Sequence, residues 1–246
     1  MNTPLRADIA LISAGLALSR SKAQALIKAG CVFYGEAAVT KPSEMIEDAS
    51  QLRLEGLDHP WVSRGGMKLA EALKVFEIDP AGLVCLDIGA STGGFTDVLL
   101  HHGAAKVYAV DVGHDQLVAK LKDDPRVILR EGTNARTLSH EDIPEPVDLV
   151  VCDASFISLS LVLPAALALA KPGARLIALI KPQFEVGKER LGKGGVVKDP
   201  ALHEEVCQTV QRWLENFMDW KVLGLADSPI TGPAGNQEFL IAAQKG

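Results

Sequence analysis

The chain has 246 residues, 48% of them hydrophobic and 23% charged, with a formal net charge of −6, which is enough apolar material for one large core or for a small core beside a medium one. An acidic balance argues against a general polyanion binder, because neutralising phosphates takes an excess of lysine and arginine. The most apolar stretch, residues 159–170, holds Pro164 and falls short of the roughly 20 residues that a bilayer span needs, so no membrane role is expected.

The N-terminus lacks the basic-then-apolar pattern of a signal peptide, and the default expectation is a cytoplasmic protein. Cys31, Cys85, Cys152 and Cys207 have no paired spacing and the histidines no ligand spacing, so reduced core cysteines and no metal site are expected.

In chain order, "LRADIALISA" (5–14) carries Leu5, Ile9 and Ile12 at helical spacing and ends at Gly15. Ser19 stands where an N-cap belongs, and "RSKAQALIKAG" predicts a second helix ended by Gly30. "CVFYGEAAVTKP" predicts two short strands around Gly35, and "QLRLEG" a third. Basic Arg6, Arg20, Lys22 and Lys28 gather in the helical half, whereas Glu36, Glu44, Glu47 and Asp48 gather in the ribbon. By composition alone this is a small capping module with solvated charges.

The stretch "SRSKAQALIKAGCVFYGEAAVTKPS" nevertheless resembles the S4 RNA-binding domain, with Tyr34 where asparagine is common. The resemblance implies an α+β RNA-binding domain over 1–58 and makes Arg6, Arg20, Lys22 and Lys28 candidate phosphate contacts. The Gly-, Pro- and Trp-containing stretch that follows predicts an interdomain linker over 59–66, with Arg64 a further basic candidate, and a second domain over 67–246.

From residue 83 short apolar strands alternate with helical segments, the pattern of a parallel sheet covered by helices. The strands are "LVCLDIG", "KVYAVDVG", "RVILREG", "VDLVVCDAS" and "ARLIALIKP", with the helix "SLSLVLPAALALA" between the last two. A Gly- and Lys-rich loop then leads to a helix capped by Asp199 with Pro200 at its first position. "KVLGLADS" and "NQEFLIAA" follow with no helix between them and predict an antiparallel hairpin at the sheet end. Five alternating strands with such a hairpin look like the Rossmann-like class I fold of S-adenosylmethionine-dependent methyltransferases, an α/β architecture.

The turn "DIGASTGGF" leaves the first strand with spacing G-x-x-x-G-G, neither a dinucleotide fingerprint nor a P-loop. It makes Asp87, Gly89, Ala90, Ser91, Gly93, Gly94 and Phe95 candidate cofactor contacts. Asp111 at the end of the second strand suits a ribose, and Asn134 past the third suits an adenine. Ligands in such sheets bind beyond the carboxyl ends of the strands, where Asp153 and Lys181 end the fourth and fifth. Glu238, at the start of the final antiparallel strand, falls at the same edge. A lysine between carboxylates suits removal of a proton from a hydroxyl methyl acceptor, with a structural salt-bridge network as the competing reading. Cys152 should point away from Asp153 by strand alternation, which disfavours thiol-dependent methylation of a base carbon.

"VSRGGMKL", "LDIGASTGGFTDVLL", "NARTL", "DASFISL", "KPQFEVG" and "GPAGNQEFL" together resemble the haemolysin A (TlyA) family, in which an S4 domain precedes an FtsJ-like catalytic domain. The resemblance spans essentially the whole chain. It implies S-adenosyl-L-methionine as cofactor, 2′-O-methylation of cytidine ribose in ribosomal RNA or a ribosomal subunit, and a Lys-Asp-Lys-Glu tetrad mapping to Lys68, Asp153, Lys181 and Glu238. Lys68 comes from the family alone, since its periodicity puts it on the polar face of a helix that buries Leu69, Leu73 and Phe76. The chain is similar to the shorter family members, which points to large-subunit RNA. Lys188, Arg190 and Lys193 in the basic loop are expected substrate contacts. Three other readings are an RNA-binding protein with a silent methyltransferase fold, a dinucleotide-dependent enzyme and a haemolysin-like membrane activity.

Overall fold

A computed structural model describes residues 4–17, 19–28, 30–54, 59–232 and 235–246. The chain divides into two compact units, Met1–Pro60 and Trp61–Gly246.

In the smaller unit, β1 (Leu5–Arg6) leads into α1 (Ala7–Ser13), followed by α2 (Arg20–Lys28), β2 (Val32–Tyr34), β3 (Ala37–Ala38), β4 (Met45–Ile46) and β5 (Leu52–Leu54). The first helix begins two residues later than the apolar spacing predicts, because Leu5 and Arg6 pair antiparallel with Ile46 and Met45. Ser19 caps α2 through its Oγ, which accepts from the Lys22 N–H at 3.3 Å. Strands β3, β2 and β5 form an antiparallel ribbon, and Ala10, Leu11, Ala23, Ile27, Val32 and Ile46 bury the unit's small core.

The larger unit opens with α3 (Gly65–Val75), then β6 (Val84–Ile88), α4 (Gly94–His101), β7 (Lys106–Val110), α5 (Ala119–Lys122), β8 (Val127–Arg130) and β9 (Val147–Cys152). Helices α6 (Leu159–Val162) and α7 (Pro164–Ala168), strand β10 (Ala170–Ile180), α8 (Pro182–Glu185), α9 (Pro200–Phe217), β11 (Trp220–Asp227) and β12 (Phe239–Lys245) complete it. Residues 61–66, placed by the sequence in a linker, pack within this unit: the Trp61 ring meets His101 edge-on at 5.2 Å, and the Val62 N–H donates to Asp97 Oδ2 at 2.9 Å. The expected single helix over 158–170 is two short ones, because Pro164 has no N–H to continue the first and starts the second. Asp199 caps α9 by accepting from the Ala201 N–H at 2.9 Å.

The seven strands run in the order β11-β12-β10-β9-β6-β7-β8, parallel except around β12, which pairs antiparallel with both β10 and β11. This is the Rossmann-like α/β arrangement with a terminal hairpin that the sequence predicts, and the small α+β unit precedes it in the chain. Alternate strand residues face opposite layers. Leu86, Val150 and Leu176 pack with Leu163 and Leu214 on one face, and Cys85, Leu149 and Ile177 with Leu69, Val98 and Leu99 on the other. Burial on both faces explains the nearly continuous apolar runs of β6, β9 and β10.

Asp87 breaks that apolar run. Fully buried, it accepts from Thr96 Oγ1 at 2.7 Å on Oδ2, pinning the end of β6 to α4, while its Oδ1 has no partner. Burial, with the nearby Asp153 charge adding to it, pushes this carboxyl up to about 7. A raised folded-state value means the folded chain holds the proton while the unfolded chain releases it. The resulting stabilisation is complete below the ordinary aspartate value of 3.8 and is lost as pH rises through about 7. All three tryptophans, Trp61, Trp213 and Trp220, lie in this unit, so thermal unfolding followed by tryptophan fluorescence reports on it. The native chain should lose stability relative to Asp87→Asn across that window, and a pH-independent difference would contradict the assignment.

Candidate active site

Beyond the carboxyl ends of β6, β7, β8 and β9 lies a cavity of about 510 Å³, lined by Gly89, Ser91, Asp111, Asn134, Asp153 and Phe156 among others. Its size is that of a drug-sized or cofactor-sized site. Gly89 adopts φ +81°, and a Cβ there would stand 3.0 Å from the Ala154 Cα, so only glycine lets the two strand ends approach this closely. Asp111 organises the turn. Its Oδ2 accepts from the Ser91 N–H at 2.8 Å and its Oδ1 from the Gly113 N–H at 2.8 Å, which leaves further lone pairs for a ligand's hydroxyls. Asn134 Oδ1 caps a short 3₁₀ turn by accepting from the Arg136 N–H at 3.1 Å, so what it offers a ligand is its NH₂.

At one end of this cavity four charged side chains from four segments meet. Pro182 halts β10 and starts α8, leaving Lys181 at the strand's carboxyl end in extended conformation. Lys181 Nζ stands 2.7 Å from Asp153 Oδ1, and donates to the Asp153 carbonyl at 3.0 Å and to Ser155 Oγ at 2.8 Å. Lys68, from α3, places Nζ 2.6 Å from Glu238 Oε2 and 3.4 Å from Asp153 Oδ2. The order Glu238, Lys68, Asp153, Lys181 thus alternates in sign and sums to zero. Glu238, Lys181 and Lys68 are almost wholly buried, whereas the Asp153 side chain keeps 19% of its surface and lines the cavity. Each buried ion is paired, as burial of charge requires.

The other sequence candidates scatter. Ala90, Gly93, Gly94, Phe95 and the buried Asp87 do not line the cavity. Gly93, at φ +97°, has no room for a Cβ beside Leu121, and Gly94 none beside Ser63, so these two glycines serve packing against α5 and the start of α3. Phe95 is a core side chain. Cys152 is fully buried, and burial pushes its thiol up to about 12, which leaves no thiolate for nucleophilic attack.

Among the basic candidates, Lys22, Lys28 and Arg64 are exposed. Arg6 and Arg20 both donate to Asp8. Arg190 forms a two-pronged pair with Glu205, at 2.6 and 2.7 Å, rather than standing free. The side chains of Lys188 and Lys193 lie outside the described residues.

Several residues of the site were not singled out from sequence. Ser155 holds Lys181. Glu185 accepts from Ser158 Oγ at 2.6 Å and the Leu159 N–H at 2.9 Å, tying α8 to the loop after β9. Buried Asn236 accepts from the Val197 N–H at 2.9 Å and donates to the Gly195 carbonyl at 3.2 Å, anchoring the loop before Glu238 to the basic loop. Phe156, at φ +67° and 90% exposed, stacks at a tilt on Phe184 with centroids 5.1 Å apart. The signal for Ser155 and Glu185 lay in their distance from Asp153 and Lys181, two and four residues.

The FtsJ-like methyltransferase family model matches residues 61–245 and the S4 domain model residues 5–51. The 16S/23S rRNA (cytidine-2'-O)-methyltransferase TlyA of Mycobacterium tuberculosis is 48% identical over 237 residues, covering 96% of this chain and 88% of that one. Hemolysin A of Brachyspira hyodysenteriae is 41% identical over 239 residues, covering 96% of this chain and 98% of that one. A solved structure of a candidate hemolysin from Streptococcus thermophilus superposes with a TM-score of 0.78 at 41% identity, covering 98% of this chain and 88% of that one. With the charged cluster and cavity at the carboxyl edge of its sheet, the chain belongs to the FtsJ-like methyltransferases and, with its S4 domain, to the haemolysin A (TlyA) family within them.

Proposed function

We propose that the chain transfers a methyl group from S-adenosyl-L-methionine to the 2′-hydroxyl of a cytidine in ribosomal RNA, and that Lys68, Asp153, Lys181 and Glu238 carry the reaction. The observation that supports this most directly is the alternating charged row beside a nucleoside-sized cavity. A row that only closed the sheet edge would have no reason to keep Asp153 open to that cavity.

The cavity residues suit the cofactor. Asp111 would accept from its ribose hydroxyls and the Asn134 NH₂ would meet the adenine, while the close backbone approach at Gly89 shapes the floor. When bound, the cofactor supplies an activated methyl on a sulfonium. The chain's own task is to position the acceptor oxygen and to take its proton as the oxygen–carbon bond forms. Lys181 accepts that proton at Nζ, a role that requires it to have released one of its own first. Of its three acceptors in the structure, Ser155 is the one whose hydroxyl also donates, so Ser155 can keep its contact when Lys181 presents a lone pair. Lys68 aims its charge at Asp153 Oδ2, the oxygen that does not face Lys181, and is held there by Glu238. Exposed Phe156, backed by the half-buried Phe184 ring, offers a ring face to an unstacked base. Exposed Lys22, Lys28 and Arg64, with Arg6 and Arg20, supply phosphate contacts, and the RNA of the large subunit is the expected substrate. No helix among the described residues is long and apolar enough to cross a membrane.

Incubating RNA from each ribosomal subunit with the chain and labelled S-adenosylmethionine, then mapping alkali-resistant linkages, tests the reading. One resistant cytidine linkage in large-subunit RNA is expected, and label on a base or no transfer would overturn it. Lys181→Ala should lower the single-turnover transfer rate by about 10²–10⁴ while cofactor affinity, read by calorimetry, stays near native. Asp111→Ala should do the reverse, weakening cofactor binding by about 10–100-fold through lost charge-assisted hydrogen bonds. An Asp111→Ala chain that binds the cofactor normally would remove the ribose assignment.

A further inference from the structure

The smaller unit contains a buried carboxylate that the proposed reaction does not use. Asp8, in the first turn of α1, has no exposed side-chain surface, yet its two oxygens accept four bonds from three side chains on two segments, β1 and α2. Arg6 donates through Nε to Oδ1 at 3.1 Å and through Nη2 to Oδ2 at 3.2 Å. Arg20 donates through Nε to Oδ2 at 2.9 Å, and Gln24 through Nε2 to the same oxygen at 3.0 Å. The Arg6 guanidinium, aided by Gln24 and Arg20, holds this carboxyl well below the usual carboxylate range, so it is ionised at any physiological pH.

The arginines are not used up by these bonds. Each guanidinium carries five N–H groups. Arg6 spends two and Arg20 one on Asp8, and their side chains remain 38% and 58% exposed. The carboxylate therefore grips both by the Nε side. That fixes two otherwise flexible planar groups on one anchor while leaving outward N–H groups unspent. Two arginines and one aspartate sum to a single positive charge, which matches one phosphodiester. Phosphate recognition of this forked kind rewards a preset donor plane more than charge alone.

We propose that Asp8 is a positioning residue for RNA binding, which holds Arg6 and Arg20 as a two-armed clamp on a single backbone phosphate. The proposal rests on the reading that the smaller unit meets RNA, and its test has a useful sign. By charge counting, removing an acid beside two arginines should tighten binding to a polyanion. A clamp that needs its anchor loosens instead.

The full-length chain and its Asp8→Asn variant are compared for affinity to large-subunit RNA across a salt series, with far-ultraviolet melting to follow the fold. Asp8→Asn should bind about tenfold more weakly, with a log–log salt slope changed by less than about one unit, because the cations are still present but no longer held in register. In an Arg6→Ala/Arg20→Ala background the same substitution should change nothing further. Unchanged or tighter binding by a folded Asp8→Asn chain overturns the proposal. If Asp8→Asn melts the small unit, Arg20→Lys decides: it keeps the charge but loses the fork, and native affinity in that variant overturns the clamp equally. If the double arginine variant binds RNA normally, the RNA role of these residues fails altogether. If it binds weakly while Asp8→Asn and Arg20→Lys bind as the native chain does, only the positioning role fails.

Discussion

Asp153 is the group on which the arrangement at the sheet edge depends. One carboxylate oxygen faces Lys181 at 2.7 Å and the other faces Lys68 at 3.4 Å, so a single side chain joins two buried cations that would otherwise repel each other. Removing any member of the row strands an uncompensated ion in a site where desolvation is expensive, whereas the intact row is neutral. Such a row is costly to keep merely for stability, since well-packed apolar residues often serve as well. A site that must hold a lysine beside a reacting hydroxyl gains from it, because the carboxylates fix that amine while the cavity stays open on the Asp153 side.

How much of this was legible depended on whether strand geometry or long-range packing placed each residue. Asp153, Lys181 and Glu238 could be brought together from sequence because strand direction and hairpin topology dictate which ends share an edge. Lys68 could not. Helical periodicity put it on a polar face, but α3 buries Gly66, Lys68, Leu69, Ala72 and Leu73 together, a span wider than one apolar stripe. Only the family resemblance pointed to it. Arg190 reads as a free cation in a basic loop, yet Glu205 on α9, 15 residues further on, takes both its prongs. Nothing in local composition announces that pairing.

The glycine turn shows a subtler mismatch. Its residue types were read as room for a ligand, and Gly89 does line the cavity, but Gly93 and Gly94 face Leu121 and Ser63. The turn is glycine-rich chiefly because three elements crowd against it, and the ligand space follows from that crowding. In the smaller unit the same logic holds for α1. Its start is set by pairing of Leu5 and Arg6 with β4, which the helical spacing of Leu5, Ile9 and Ile12 concealed. Secondary structure was thus readable wherever burial imposed a period, and was overridden where a neighbouring segment supplied backbone partners.

The claim at the centre is that the carboxylate joining both lysines serves chemistry and not only cohesion. Single-turnover methyl transfer to ribosomal RNA by an Asp153→Asn chain, with cofactor and RNA binding measured on the same preparation, tests it most directly. The account predicts that both ligands still bind while transfer falls by about 10² or more, since the amide keeps the shape but cannot hold both lysines in place as the carboxylate does. Transfer at the native rate by a folded, ligand-binding variant would contradict it.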